Sequence, residues 1–446
     1  DSVNGLVGSE MCIRDSVGAA LEGDRKASPW CRSLSGPWKF HWSPVPGEAP
    51  EDFFEPGFDA SGWDRIEVPS SWQMQGFGHP VFRNVSQPFP STPPRVPASY
   101  NPVGSNLRSF DVPEGWEGRR IFIHFEGVKS ASYVWVNGTM VGYNQGGMEP
   151  AEYDVTDVVR PGANTVAVRV YRFSDGTYLE DQDMWRLSGI YRDVYLMATP
   201  PVHVRDFFVT TDLDSEYRDA ELKIAAEVRH YGTGKVEGYR VRATLYPDDD
   251  ATPVGEPFES RELSIPGGGA VAASLSAPVE APRLWSAEHP HLYRLVLELL
   301  GPGGDAEEIL STWVGFREME IRDQAFFVNG RSVKLNAVNS HVHHPDTGRT
   351  MDVDTMREDL VLMKRFNVNT VRTSHYPPNP EYLRLADVLG VYVIDEAGTE
   401  AHSTTFLSER PEWRAAYLDR GRKMVHRDRN HPSVVIWSAG NESGSG

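Results

Sequence analysis

Residues 391–396 read VYVIDE and residues 434–443 read VVIWSAGNES, two apolar runs that each end in polar side chains. Val391–Ile394 and Val434–Trp437 read as strands, and Pro411–Arg427 between them reads as a helix. The same rhythm recurs upstream. Ser332–Val338 and Val368–Arg372 read as strands, and Asp354–Phe366 reads as a helix with Met356, Leu360 and Met363 on one face. Asn379 is placed to cap a further helix, with Pro380 in its first position and Gly390 just past its end. Strands alternating with helices predict a parallel sheet. Four such strands are half of a (β/α)8 TIM barrel. Residues 318–446 are therefore expected to form the first half of a barrel, with four strand–helix units still to come.

The chain upstream of this region has a different pattern. From about residue 30 to 200, apolar alternation recurs in Arg120–Phe125, Ser132–Val136, Met140–Tyr143 and Thr165–Tyr171. Asn137-Gly138 lies between two of these runs, a strong hairpin signal. Residues 17–200 are expected to form a jelly-roll β-sandwich. Residues 201–317 carry strand composition in Ala220–His230, Tyr239–Tyr246 and Leu292–Leu300, and predict an immunoglobulin-like sandwich without its usual cysteine pair. Residues 1–16 match neither the strand nor the helix period. They are expected to be non-native or disordered, and their MCIRDS stretch resembles adaptor read-through.

Composition narrows the function classes. A net charge of −19 over 446 residues disfavours nucleic acid as a partner. No apolar run is long enough for a membrane helix. Two cysteines, Cys12 and Cys31, exclude a disulfide scaffold and fit a reducing compartment, so a cytoplasmic location is expected, although the chain begins at Asp1.

Polar residues follow each predicted barrel strand: Asn339 and His341, then Ser374, His375 and Tyr376, then Asp395, Glu396, Glu400 and His402, then Asn441 and Glu442. In a barrel these positions converge on the C-terminal face, where active sites lie. A glycosidase needs one carboxylic acid to protonate the leaving oxygen and a second carboxylate opposite. Glu442 can be the first, and Asn441 beside it can donate to a sugar hydroxyl. On spacing alone, a carboxylate stabilising a helix N-terminus fits Glu442 as well. The acidic run Asp175–Asp183 reads either as a solvated loop or, through Tyr178 and Trp185, as a loop packed on another domain.

Asn441-Glu442, the run Arg372–Pro377 and the run Arg427–Ser433 resemble the family 2 glycoside hydrolases. Within that family, Asp175–Arg186 and Trp72-Gln73-Met74 resemble the bacterial β-galactosidases. The resemblance runs from about residue 30 to the last residue. It implies hydrolysis of terminal β-galactosides such as lactose, with retention, by a complete enzyme expected to be a homo-oligomer. It implies that Glu442 is the acid/base and that Asn441 contacts the sugar 2-hydroxyl. His341 and His375 would line the galactose site, and Asn84 and Asp175 would reach in from the jelly roll. Asp175 would also hold Na+, and Glu400, His402 and Glu442 would hold Mg2+. Two carboxylates and one imidazole would equally suit Mn2+. A bound cation lowers a carboxylate pKa whereas a general acid needs a raised one, so such a metal would tune Glu442. Three positions depart from the family pattern: Ser340 and Val342 stand where Arg and Glu are common, and Gly398 where Asn is usual.

In this family the nucleophile lies on a later barrel strand. The fragment is therefore expected to lack it and to be inactive alone. Two other readings remain: a family member acting on a β-glucuronide or β-mannoside, and a non-enzymatic carbohydrate-binding protein.

Overall fold

The computed structural model describes residues 13–23 and 27–444. Three bodies follow one another along the chain. In the first, a four-stranded sheet (31–33, 194–199, 120–125, 151–154) faces a six-stranded sheet (64–68, 36–43, 103–112, 162–171, 131–136, 139–144). All pairings are antiparallel. Alternate residues of the two sheets meet in one core: Trp38, Phe40, Val134 and Val168 from one, Ile121, Ile123, Val194 and Leu196 from the other. Asn137 and Gly138 take φ of 51° and 85°, the left-handed pair that the two-residue hairpin requires.

The second body is also a sandwich. Strands 202–213, 220–230 and 270–279 pack on a sheet built around 236–247, 293–300 and 306–314. Its core joins Leu222, Ile224 and Val228 to Val241, Leu295 and Leu297.

Of the segment 1–16, residues 13–16 are described, and Ile13 and Arg14 are buried. Ile13 is 2% exposed in the second core, Arg14 N donates to the Ile309 carbonyl at 2.8 Å, and Ser16 caps the helix Val17–Glu22. The rest of that segment, residues 1–12, lies outside the described residues.

The third body is a parallel sheet in the order Ala337–Asn339, Thr370–Arg372, Tyr392–Glu396, Val434–Ser438. Helices Val353–Arg365, Pro380–Leu389 and Arg414–Asp428 join successive strands. The Asn379 side chain accepts from Glu381 N, and Gly390 takes φ 71°, so both ends of the middle helix fall where local chemistry placed them. The expected strand Ser332–Val338 is broken. Arg331-Ser332 closes a small antiparallel sheet with residues 319–328, and the parallel strand begins at Ala337. Val333 and Leu335 are drawn to a separate cluster around Trp285 and Tyr392, which interrupts the run. No described helix is long and apolar enough to cross a membrane.

Candidate active site

The C-terminal ends of the four parallel strands carry a connected set of polar groups. Glu396, at the end of the third strand, is its hub. One oxygen accepts from Arg372 Nε at 2.7 Å and from Ser438 Oγ at 2.6 Å, and the other faces His375 Nδ1 at 2.7 Å. Burial pushes the Glu396 carboxyl up, but hydrogen bonds from His375, Ser438 and Arg372 outweigh it and hold the group below its ordinary range. Arg372 also donates from Nη2 to Asn441 Oδ1 at 3.0 Å, fixing the amide beside Glu442.

His341 follows the first strand. Its ring lies 5.5 Å from that of His375, and its Nδ1 is 3.5 Å from the Tyr376 hydroxyl. Burial, then His375 and Arg349, push its pKa down to about 4, so it is neutral at pH 7.

Glu400, His402 and Glu442 present ligand atoms within 4.8 Å of one another, the one such group among the described residues. His402 Nε2 touches the Glu442 carboxylate, and His402 Nδ1 lies 3.5 Å from Glu400. Neither Glu400 oxygen closes a hydrogen bond, although both are buried. Burial pushes the Glu400 pKa up to about 8; the nearby Asn441 amide opposes this, while Glu442 and Asp181 add to it. A buried carboxylate, Glu400, with a second carboxylate and an imidazole beside it is short of positive charge, which fits a divalent cation. The Glu442 side chain is 53% exposed and so faces solvent rather than the core.

The loop carrying Glu400 is held by the first sandwich. Glu400 forms parallel bridges with Glu180 on one side and Asn441 on the other. Beneath it, buried Glu180 accepts from Gly147 N at 2.8 Å and from Arg420 Nη2 at 2.7 Å, and contacts Lys129. Tyr178 is fully buried against Trp413, so this half of the acidic run packs on the α/β body as its aromatic content predicts. Trp185, in contrast, is 47% exposed and packs edge-on against Phe82.

The resemblance-derived set does not all converge. Asn84 is exposed in the loop after strand Val81–Arg83, and no described side chain holds it. Asp175 opens a short 3-10 helix, accepts from Gly176 N at 2.9 Å, and acts electrostatically on Tyr143, away from the histidines. The carboxylate whose charge reaches His341 is Asp183, and its Oδ1 is buried without a partner. Sequence reading passed over it because Asp175 and Asp183 bound the same run, and charge alone does not tell which end turns inward. Gly398, one of the departures, lies where a Cβ would come 2.8 Å from Glu149 Oε1 and 3.1 Å from Met148 Cβ. The smaller residue makes room for that buried glutamate.

Two antiparallel sandwiches followed by a parallel α/β body with acids at its strand ends define a glycoside hydrolase architecture. The chain belongs to glycosyl hydrolase family 2: that family's sugar-binding domain matches residues 31–200, a second model of the family matches 202–317, and its TIM barrel domain matches 319–446. It is 42% identical to a β-galactosidase of Priestia megaterium (strain DSM 319 / IMG 1521) over 97% of the chain and 43% of that protein. It is also 42% identical to β-galactosidase 2 of Enterobacter cloacae, over 95% of the chain and 41% of that protein. The chain thus spans less than half the length of these relatives. Among solved structures, β-glucuronidase 2 of Bacteroides uniformis, covalently bound to cyclophellitol-6-carboxylate aziridine, superposes with a TM-score of 0.76 at 25% identity, covering 91% of this chain and 46% of that one. A β-glycosidase of Bacteroides vulgatus gives 0.74 at 25% identity, covering 92% and 50%.

Proposed function

We propose that this chain supplies the sugar-binding side and the general acid/base of a retaining β-galactosidase acting on terminal β-D-galactosides such as lactose. The observation that carries this reading is the juxtaposition of Glu442 with Asn441, itself anchored through Arg372 to Glu396. Glu442 faces solvent, where a glycosidic oxygen can reach it. His341, neutral at pH 7, suits hydroxyl groups rather than an anionic sugar, and His375 is held in place by Glu396. The names of the relatives support galactose as that sugar.

A retaining mechanism places its nucleophile about 5–5.5 Å from the acid/base. Among the described carboxylates at the strand ends, Asp395 is fully buried beside Asp428, Glu396 is held by Arg372, His375 and Ser438, and Glu400 belongs with the proposed metal group. The family resemblance puts the nucleophile on a later barrel strand, in the additional length that the relatives possess. Glu400, His402 and Glu442 would hold Mg2+ or Mn2+, whose chemistry here is to lower the Glu442 pKa. For Na+, Asp183 with its bare buried oxygen is better placed than Asp175.

The test is a chimera that continues this chain with the remaining part of the Priestia megaterium relative. It should hydrolyse aryl β-galactosides and not aryl β-glucuronides. Preference for the glucuronide would overturn the galactoside reading.

A further inference from the structure

Arg349 is a buried guanidinium without a carboxylate. It is 5% exposed, its Nη1 and Nη2 donate to the thioether sulfurs of Met148 at 3.0 Å and Met184 at 2.9 Å, and its Nε has no partner. Thioether sulfur is a weak acceptor, and arginine stays charged inside proteins. Burying such a charge is costly unless an anion compensates it. The surroundings make matters worse: Arg349 acts repulsively on Lys129 and on Arg186. Its remaining contacts are the rings of Tyr376 and Tyr191, at 5.5 Å and 5.8 Å.

A second buried guanidinium, Arg192, donates to the carbonyls of Met148 at 3.0 Å and Pro377 at 2.8 Å, with Glu126 acting on it electrostatically. Arg192 and Arg349 line one cavity of about 10 Å3, together with Tyr376, Asn379, Val342 and Met351. That volume admits one water-sized particle. Asn379 caps the ten-residue helix Pro380–Leu389, so the positive end of that helix points to the same place.

We propose that this cavity binds a small monovalent inorganic anion, a halide such as chloride, between Arg192 and Arg349. Two guanidiniums and a helix N-terminus supply the charge. The apolar walls of Val342 and Met351 and the one-particle volume exclude sulfate or phosphate. A water in the same place leaves Arg349 uncompensated. By fixing Arg349 against the Tyr376 ring, the anion also fixes the hydroxyl that faces His341 at 3.5 Å. This assignment stands apart from the proposed reaction and needs no turnover to be tested.

The experiment is diffraction at the bromine edge from crystals of the chain grown in sodium bromide. An anomalous peak in the cavity, against Arg349, is expected. In parallel, thermal melting is compared in sodium bromide and sodium methanesulfonate at equal ionic strength. Bromide should raise Tm by about 2 °C or more, and Arg349→Met should abolish the difference. Should that variant fail to fold, the wild-type crystals and melts still decide. Bromine peaks at surface positions only, or equal melting in the two salts, would overturn the proposal.

Discussion

The backbone N–H of Glu400 donates to the carbonyl of Leu179 at 2.7 Å, so the loop that carries Glu400 and His402 is stitched to the first sandwich. The Asp181 N–H returns to the Glu400 carbonyl at 3.0 Å. Tyr178, next to Leu179, is buried against Trp413, and its hydroxyl donates to the Arg95 carbonyl at 2.6 Å. Tyr178→Ala removes the ring that seats this loop, a loss of about 3–5 kcal/mol for a buried aromatic. Mn2+ binding to the chain, read by electron paramagnetic resonance, should weaken at least tenfold, while Tyr178→Phe should retain most of it. Equal affinity in all three proteins would show that Glu400 is held by its own loop alone.

Gly440 adopts φ 140°, and a Cβ there would lie 2.0 Å from Thr399 Oγ1 and 2.6 Å from the Thr399 carbonyl oxygen. Gly440→Ala must push the Asn441-Glu442 turn away from the Thr399 backbone. The expected outcome is loss of Mn2+ binding with the melting temperature lowered by only a few degrees. A crystal structure of the variant with Glu442 unmoved would contradict the argument.

In the chimera, Glu442→Gln should slow hydrolysis of lactose by about 10²–10⁴-fold. Aryl galactosides with good leaving groups need less proton assistance and should lose far less. The comparison of kcat/KM across leaving groups checks this, and a uniform loss would remove Glu442 from the acid role.

Glu149 is fully buried with both oxygens unpartnered. Burial, reinforced by Glu180 against the opposing charge of Arg420, pushes its pKa up to about 7 from the ordinary 4.5. Between those values the folded chain holds more protons than the unfolded one, so this group's contribution to stability falls as pH rises from about 4.5 to 7 and is level above. Glu149→Gln should therefore raise the melting temperature at pH 8 and change it little at pH 4.5. The gain corresponds to roughly 1–3 kcal/mol. Melting curves of the two proteins across that range test it, and a constant offset at every pH would refute it.

The 446-residue chain alone should show no turnover of a chromogenic β-galactoside, because the carboxylate Glu396 is committed to Arg372, His375 and Ser438. Activity abolished by Glu396→Gln would show that it serves as a nucleophile after all.

What the sequence discloses depends on how local the determining physics is. The helix between Asn379 and Gly390 is legible because capping and left-handed backbone act within one turn. The trio Glu400, His402 and Glu442 is legible only through the family resemblance, because Glu400 and His402 by themselves read as a solvated loop. The break at Ser332–Val338 is not, since Val333 and Leu335 leave the strand for Trp285, a residue about fifty positions earlier. Nor is the choice between Asp175 and Asp183, which depends on how one short helix tilts the loop against the neighbouring body. Arg349 escaped notice for the same reason: an arginine is unremarkable until the walls around it are known to be methionine and tyrosine.

Glu180 gathers Lys129 and Gly147 from the first sandwich and Arg420 from the last long helix onto one carboxylate. The bodies are consequently poor units of exchange. A chimera joined at the linkers between them would inherit Glu180 and Lys129 from one parent and the residue at 420 from another, and a mismatch would strand charge in a dry interior. Recombination among such enzymes should succeed only where residues 129, 147, 180 and 420 travel together, making this cluster an indivisible heritable module that crosses the visible borders of the fold.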